Sequence, residues 1–300
     1  MEDYQVFESG PDDHGKRLDR IVRTLLSHIP LSRVFRALRT GEILLEGKRV
    51  PPSTRVSRGA RIHIHRSLLP EREPRQKWEP RALPILLETD HLLILNKPPG
   101  AVVHGPGSLT DQVRSYLKDR IPPSLAFTPS PLHRLDRLTS GILVFSRSIH
   151  GARWFTRALR EGGIEKTYLA LLEGTLAEPA RWEDLLTREG RRSRPSPHGR
   201  PALTDVRPLL AAPTATLALC IIHTGRMHQI RVQAALRGHP LLGDTAYGST
   251  RRIRPVLHAW RLRPLSPSPL FPADGLQAPL PDESETILSR ILPGWEDALP

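Results

Sequence analysis

Residues 133–141 read HRLDRLTSG, and the apolar run Ile142–Phe145 follows them directly. The run is short, rich in β-branched and aromatic residues, and preceded by a glycine turn, which is typical of a buried strand. One carboxylate, Asp136, therefore lies between two arginines in a loop that enters a buried strand. Nearby arginine favours the ionised form of a carboxylate. The stretch suits a nucleophile or an electrostatic catalyst better than a general acid, which needs a raised pKa.

The composition favours a soluble globular protein. The chain has 300 residues, 38% of them hydrophobic and 25% charged, which is enough for two domains and a sizeable core. The longest nearly apolar run, 209–222, is interrupted by Pro213 and is too short to span a bilayer. The acidic N-terminus is not typical of a signal or transit peptide. We therefore expect a cytoplasmic protein without disulfides, because Cys220 is the single cysteine.

The charge indicates a polyanionic partner. The net charge is +13, and a field of that sign favours nucleic acid ahead of anionic membrane. Arginine outnumbers lysine 38 to 6. That skew by itself fits a GC-rich genome and says nothing about function, whereas the net charge does.

Residues 14–66 form a first unit with a strong basic excess. They hold thirteen Lys and Arg against three acids, a net charge of +10. Apolar residues at 18, 21, 22 and 25 follow the spacing of one helix face. A second helix is expected from Ser32, as N-cap, to Gly41, as its C-terminal stop. The alternative explanation for such a charge run is a solvated helix face with no ligand.

Strands follow these helices. Apolar residues flank a Glu-Gly-Lys turn within 43–50 and indicate a small hairpin, and residues 61–65 alternate as a closing strand. With Arg17-Leu18-Asp19 and the basic second helix, this pattern resembles the S-four-type RNA-binding domain, a small α/β domain named after a ribosomal protein. The resemblance implies phosphate contacts, which give affinity and salt dependence but little sequence choice. The residues implied in these contacts are Arg33, Arg36, Arg39 and Lys48.

The rest of the chain divides into three segments. Residues 67–82, where prolines alternate with charges, are expected to be an extended linker. Residues 83–263 contain many strand patterns and few helical ones, which predicts an α+β domain with a large, mainly antiparallel sheet and flanking helices. Residues 264–300 are acidic and hold eight prolines. We expect an irregular tail there, apart from a short helix near 282–292.

Five motifs spread in order along residues 83–263 carry a second resemblance. They are LNKPPG at 95–100, the HRLDRLTSG stretch, EKTYLAL at 165–171, TGRMHQIRV at 224–232 and LLGDTAYG at 241–248. Behind an RNA-binding unit, this set resembles the RluA-type pseudouridine synthases, and within them the enzymes of the ribosomal large subunit. The resemblance implies the pseudouridine synthase fold and the isomerisation of specific uridines in large-subunit ribosomal RNA.

The chemistry of that reaction needs only one carboxylate. Uridine becomes pseudouridine when the N-glycosidic bond breaks, the uracil rotates, and carbon five bonds to the sugar. Hydrolytic glycosidases usually need two carboxylates, but here the uracil leaves as a stabilised anion and stays in the pocket. By its place in the motif, Asp136 is that carboxylate. It attacks the sugar, attacks the ring or removes a sugar proton.

The resemblance implies two further catalytic residues. Tyr168 lies on a predicted strand face with Ala170, and the resemblance has it stack on the uracil and help to move the carbon-five proton. Without the motif, a core tyrosine would be the better interpretation. Arg231 is implied to pair with Asp136 through a charge-assisted hydrogen bond. Its alternative is an ordinary surface arginine on a helix.

Two more arginines are implied to contact RNA near the site. Arg134 would fill the base stack that the target uridine vacates when it is flipped out. A helix is predicted from about 227 to 237, before Gly238 and Pro240. Arg226, at the start of that helix, would meet a phosphate. One departure concerns Gln233, which stands where the family usually has histidine. Such departures from the family pattern concern substrate choice more than activity.

Three other functions compete with this one. A non-catalytic RNA-binding assembly factor could use the same fold, and the enzyme could act on transfer RNA instead. A hydrolytic glycosidase would need a second carboxylate, for which Asp244 is the best candidate, although a structural turn explains it better. No cofactor is implied, and the histidines lack the spacing of metal ligands. We expect a monomer with no membrane partner.

Overall fold

The first unit of the fold packs two helices against a small sheet. The computed structural model describes residues 3–70 and 82–300. Within the first range, three antiparallel strands form the sheet in the order β1-β3-β2. The elements are β1 (Tyr4–Glu8), α1 (Leu18–Leu25), α2 (Leu31–Thr40), β2 (Ile43–Leu45) and β3 (Arg61–His65).

Both helices of the first unit lie where the apolar spacing predicts them. Leu18 and Val22 are fully buried, so the amphipathic pattern of α1 is confirmed. Helix α2 ends at Gly41, whose φ of 87° is the left-handed conformation expected of a C-terminal glycine. Its N-cap is Pro30 and not Ser32 as expected. The fixed φ of proline suits the residue at which the chain turns into a helix.

The strand pairing of the first unit differs from the expected hairpin. Strand β2 pairs with β3, and residues 45 and 48 are joined only by an isolated bridge across the turn. Strand β1, which a unit starting at residue 14 leaves out, completes the sheet by pairing with β3. Local alternation shows that a segment is extended, but the partner of a strand is chosen by packing over longer distances.

In residues 82–300, ten strands form one large sheet. Its order is β4-β5-β6-β12-β7-β11-β10-β8-β9, with β13 beside β12. The β6–β12 pair is parallel and the other pairs described are antiparallel. The expected mainly antiparallel α+β fold is therefore confirmed. The strands are β4 (Ile85–Glu88), β5 (Leu92–Lys97), β6 (Ser140–Ser146), β7 (Ile164–Glu173), β8 (Ala180–Glu189), β9 (Arg192–Pro195), β10 (Arg200–Ala212), β11 (Ala215–Ile222), β12 (Leu257–Pro264) and β13 (Leu276–Gln277).

Helices cover both faces of the large sheet. Alternate residues of a strand point to opposite faces, so Tyr168 and Ala170 of β7 lie in one apolar layer and Leu169 and Leu171 lie in the other. We call the face that carries Tyr168 the front face; α3 and α5 pack on it, while α4 and α6 pack on the back face. The helices are α3 (Leu109–Leu117), α4 (Ile149–Arg160), α5 (Gln229–Leu236) and α6 (Asp282–Ile291).

A buried carboxylate fastens the first unit to the second. Asp13 accepts hydrogen bonds from the N–H groups of Leu125 and Ala126 at 2.8 and 2.9 Å. Gly10 lies so close to the same loop that a Cβ there would stand 1.7 Å from the carbonyl oxygen of Pro123. These contacts hold the basic first unit in a defined position beside the large sheet.

Residues 264–300 pack onto the sheet instead of forming an irregular tail. The expected helix near 282–292 is confirmed as α6. Leu288 and Trp295 are buried in the back layer, and buried His258 bonds the carbonyl oxygen of Ala278 at 3.0 Å. A proline-rich composition predicts irregular backbone, but it does not exclude packing of the apolar residues between the prolines.

The expected linker 67–82 lies mostly outside the described residues. Residues 66–68 form a short 3₁₀ turn, and Leu68 packs into the core of the first unit. Residues 71–81 are not among those that the structure describes. In the part of the chain that is described, none of the helices is long and apolar enough to cross a membrane.

Candidate active site

A cavity of about 660 Å³ opens on the front face of the large sheet. Its lining includes Asp136, Tyr168 and Arg231, which lie far apart in the sequence. Arg134 and Arg226 line the same cavity. The fold therefore brings together the residues that the second resemblance implied, which come from the loop before β6, from β7, from α5 and from the loop that precedes α5.

Asp136 lies on a loop that is tied down at both ends. Before it, residues 130–132 pair with β6, through Leu132 N–H to the carbonyl oxygen of Val144 at 2.8 Å. After it, the buried ammonium of Lys97 donates to the carbonyl oxygens of residues 98, 137 and 139 at 3.0, 3.0 and 2.7 Å. Burial lowers the pKa of Lys97 to about 8, and the charge of Asp136 opposes that shift. Sequence reasoning assigned no role to this lysine, although it stands in the LNKPPG motif.

A glycine is required at position 141, after the loop that carries Asp136. Its φ is 104°, and a Cβ there would stand 2.3 Å from the carbonyl oxygen of Ala259. The residue lies where β6 and β12 run parallel side by side. Any side chain would push these strands apart, directly beside the loop that carries Asp136.

Tyr168 contributes a neutral phenol to the cavity. It is 8% exposed and shares the front face of β7 with Ala170 and Leu172, as the strand period predicts. Burial raises its pKa, and the negative charge of Asp136 raises it further. The hydroxyl group therefore keeps its proton at neutral pH.

Arg231 does not make the expected hydrogen bond to Asp136. It forms a bidentate pair with Asp244, at 2.6 Å from Nε and 2.8 Å from Nη2. Its Nη1 atom stands 4.0 Å from Oδ2 of Asp136. Asp244, interpreted from the sequence as a turn residue, is thus the buried counterion of Arg231. The resemblance implied that Arg231 pairs with a carboxylate, but spacing along the chain does not show which carboxylate reaches it.

His228 is a residue of the site to which the sequence analysis assigned no role. Its Nε2 atom lies 3.7 Å from Oδ2 of Asp136, and its Nδ1 atom lies 2.8 Å from the hydroxyl oxygen of Tyr247. Burial lowers its pKa below the usual value of 6.5. Its place inside the TGRMHQIRV motif was the only sequence signal, since a lone histidine is more often structural than catalytic.

The mouth of the cavity is basic. Arg134 is exposed there, and Arg226 donates from Nε to the carbonyl oxygen of Pro201 at 2.8 Å. Gln233, by contrast, points away from the cavity: it is fully buried and bonds Thr204 at 2.7 Å and strand β8. The departure at Gln233 therefore concerns how α5 is attached to the sheet.

The basic residues implied to bind RNA in the first unit differ in their surroundings. Arg33 forms a bidentate pair with Glu42, with distances of 2.6 and 2.5 Å. Arg36, Arg39 and Lys48 are exposed. A phosphate would have to compete with Glu42 for Arg33, so the exposed residues are better placed for such contacts.

The arrangement offers one carboxylate with neutral and cationic partners. Asp136 is 15% exposed in its side chain, whereas Asp244 is 1% exposed and bonded to Arg231. Asp244 therefore cannot act as the second carboxylate of a hydrolytic glycosidase. Among the described residues, no group of three or more His, Cys, Asp and Glu side chains could hold a metal ion. The cavity therefore presents the carboxylate of Asp136, on a tethered loop, together with the flat and neutral ring of Tyr168.

Comparisons with known proteins identify a family. Residues 91–236 match the family model described as RNA pseudouridylate synthase. Ribosomal large subunit pseudouridine synthase C of Escherichia coli K12 is 35% identical over 260 residues, which cover 83% of this chain and 81% of that protein. Ribosomal large subunit pseudouridine synthase D of Nitrosomonas europaea is 32% identical over 299 residues, covering 92% and 85%. Human RNA Pseudouridylate Synthase Domain Containing 4 shares the fold, with a TM-score of 0.58 at 22% identity over 69% of this chain and 92% of that one.

Proposed function

The chain belongs to the RNA pseudouridylate synthase family, and we propose that it isomerises uridines of large-subunit ribosomal RNA with Asp136 as its catalytic carboxylate. The observation that carries the proposal is the cavity in which Asp136, Tyr168 and Arg231 meet. The substrate follows from the relatives, whose names assign them to the large ribosomal subunit.

The reaction conserves all atoms of the uridine. The bond between ribose C1′ and N1 breaks, a bond between C1′ and C5 forms, C5 loses its proton, and N1 gains one. An ionised Asp136 serves each possible first step, whether it attacks the ribose, attacks the ring or removes a ribose proton. Because the uracil stays in the cavity, no second carboxylate and no water are needed.

The neighbours of Asp136 then have defined tasks. The neutral ring of Tyr168 stacks on the uracil, and its hydroxyl group relays the C5 proton. The guanidinium of Arg231, held by Asp244, places a positive charge 4.0 Å from the catalytic carboxylate. Exposed Arg134 occupies the stack that the flipped uridine leaves, since extrusion of a base costs a few kcal/mol that such a contact offsets.

The first unit acts as the RNA-binding domain. Its net charge of +10 over residues 14–66 attracts the phosphate backbone. Exposed Arg36, Arg39 and Lys48 make the phosphate contacts, with a smaller contribution from Arg33. The bonds of Asp13 to residues 125 and 126 hold this domain at a set distance from the cavity.

Mapping of pseudouridine in ribosomal RNA tests the proposal. Cells that lack the protein should lose one or more pseudouridines of the large-subunit RNA, and the wild-type gene should restore them. Asp136→Asn keeps the shape but removes the charge, so it should lower the rate by about 10³-fold or more. Asp274→Asn, at an exposed loop carboxylate, is the matched control and should restore modification.

Three outcomes would contradict the proposal. If no ribosomal site is lost on deletion but a transfer RNA site is, the substrate is transfer RNA. If ribosome assembly suffers while every pseudouridine remains, the protein is an assembly factor. If Asp136→Asn restores modification, another residue carries the chemistry.

A further inference from the structure

His228 stands beside the catalytic carboxylate in strained backbone. Its φ of 54° lies in the left-handed region, which is unfavourable for a residue with a side chain. Such strain persists where surrounding contacts hold it, and it often marks a functional site. We propose that His228 is a positioning residue, which donates from Nε2 to Oδ2 of Asp136 and so presents the other carboxylate oxygen to the uridine. The inference rests on the proposed function.

Tyr247 is the hydrogen-bond partner of His228 at Nδ1. The hydroxyl oxygen of Tyr247 accepts from the N–H group of Ser193 at 2.9 Å. Its single proton then faces either Nδ1 of His228 at 2.8 Å or the carbonyl oxygen of Ser193 at 3.4 Å. In the proposed arrangement the hydroxyl group donates along the shorter contact, to Nδ1. A neutral imidazole that accepts at Nδ1 must carry its proton on Nε2.

That proton points at Asp136. Nε2 of His228 lies 3.7 Å from Oδ2, and Nη1 of Arg231 lies 4.0 Å from the same oxygen. Two donors thus flank one oxygen of the carboxylate. Catalytic hydrogen bonds are often long in free enzymes and shorten when substrate binds. Closure of both contacts on Oδ2 would fix the rotation of the carboxylate and aim Oδ1 at the ribose and uracil.

The ring of Tyr247 is itself held in place. The guanidinium carbon of Arg231 stands 4.9 Å from the centre of that ring, and Arg231 is fixed by its bidentate bonds to Asp244. One network therefore supports both donors that flank Asp136. A displacement of about 1 Å in such a network can reduce a rate by about 100-fold.

The protonation state of His228 supplies a second readout. Burial lowers its pKa below 6.5, so the ring is neutral at pH 7. Protonation would put a hydrogen on Nδ1, which Tyr247 could no longer donate to, and would pair an imidazolium with Asp136. The charged and titratable groups that face His228 are Asp136 and Arg134 on the catalytic loop, Arg231 on α5, and Asp244 and Tyr247 on the following turn.

Turnover of full-length protein on large-subunit RNA from the deletion strain, labelled with tritium at uridine C5, tests the role. His228→Ala should lower kcat by about 10- to 100-fold and change KM by less than about threefold. His228→Gln keeps an N–H donor and should recover most of the loss. Tyr247→Phe should fall between them. His104→Ala, at an exposed histidine outside the cavity, is the matched control.

The pH profile of kcat and the tautomer of His228 distinguish a positioning role from a purely structural role of this residue. Wild-type kcat should fall as pH drops below 6.5 with a component that His228→Gln lacks. Nitrogen NMR of labelled imidazoles, with His228 assigned by its loss in the glutamine variant, should show the proton on Nε2. Thermal melting should place each variant within a few degrees of wild type; if His228→Ala does not fold, Tyr247→Phe decides instead.

Two results would overturn the inference. One is a kcat for both His228→Ala and Tyr247→Phe within about twofold of wild type. The other is an imidazole with its proton on Nδ1. If wild-type protein releases no tritium from any RNA, the proposed function fails. The NMR measurement of the proton position then still tests whether Nε2 of His228 can donate to Asp136.

Discussion

Two arginine–carboxylate pairs in this molecule have nearly the same geometry and different surroundings. Arg33 and Glu42 pair on the surface of the first unit at 2.6 and 2.5 Å, and their side chains are 35% and 26% exposed. Arg231 and Asp244 pair beside the cavity at 2.6 and 2.8 Å, and their side chains are 9% and 1% exposed. Both pairs are bidentate, so the number of hydrogen bonds does not distinguish them.

The two pairs differ in their exposure to solvent. An exposed pair is screened by solvent and typically contributes between about 0 and 1 kcal/mol. A buried pair is costly to form, but the loss of one partner leaves an uncompensated charge that costs about 3–5 kcal/mol. In the surface pair, the main effect of Glu42 is therefore to compete with phosphate for Arg33. The buried pair instead sets the position of a charge that acts on Asp136.

Removal of the buried carboxylate should have the largest effect. Asp244→Asn keeps the shape but leaves Arg231 without its anion, so we expect about 3–5 kcal/mol less stability and about a 100-fold lower kcat. Denaturant unfolding and tritium release measure the two effects. The matched control is Glu42→Gln, the same change in the exposed pair, with an expected loss of no more than about 1 kcal/mol.

Equal losses of stability in the two variants would contradict this expectation, because burial would then not decide how much a pair stabilises the fold. A stable but inactive Asp244→Asn would show that the pair serves catalysis alone. A stable and active Asp244→Asn would show that the pairing of Arg231 with Asp244 is needed neither for stability nor for catalysis.

A smaller effect than that of Asp244→Asn is expected from the arginines of the first unit. The salt dependence of RNA affinity should distinguish Arg36 from Arg33. Arg36 is exposed, so Arg36→Ala should reduce the slope of log affinity against log salt by about 1. Arg33 is already paired with Glu42, so Arg33→Ala should reduce that slope by clearly less. Fluorescence anisotropy with a labelled fragment of ribosomal RNA measures both. A slope for Arg36→Ala equal to that of wild type would contradict the proposed phosphate contact.

The pH dependence of the surface pair should be the smallest effect. The hydrogen bond from Arg33 lowers the pKa of Glu42 from 4.5 to about 2. A carboxyl group with a lower pKa in the folded state stabilises the fold above pH 4.5, and this contribution is lost as pH falls toward 2. Solvent screening keeps it below about 1 kcal/mol. Carbon NMR of the Glu42 carboxyl group should find the low pKa. Glu42→Gln should slightly reduce the pH dependence of the free energy of unfolding in that pH range.

The predictable part of the fold lies where neighbours in sequence decide the structure. The apolar run at 142–145 became β6 and the period at 165–172 became β7, because strand residues alternate faces whatever lies beyond them. Helix α2 stopped at Gly41 for a similarly local reason. The pairing of β1 with β3 and the packing of Trp295 on the sheet involve residues far apart along the chain, which no local period reports.

The family, the mainly antiparallel α+β fold, the basic first unit and the candidate carboxylate at Asp136 could all be predicted from the amino-acid sequence, because motifs and periodic patterns are short-range information. Three contacts appear only in the folded chain: Arg231 pairs with Asp244, Lys97 holds the loop that carries Asp136, and Nε2 of His228 lies 3.7 Å from Asp136. Each of these contacts depends on which of several equivalent donors and acceptors come within hydrogen-bond distance. That choice is made by packing across the sheet and not by spacing along the chain.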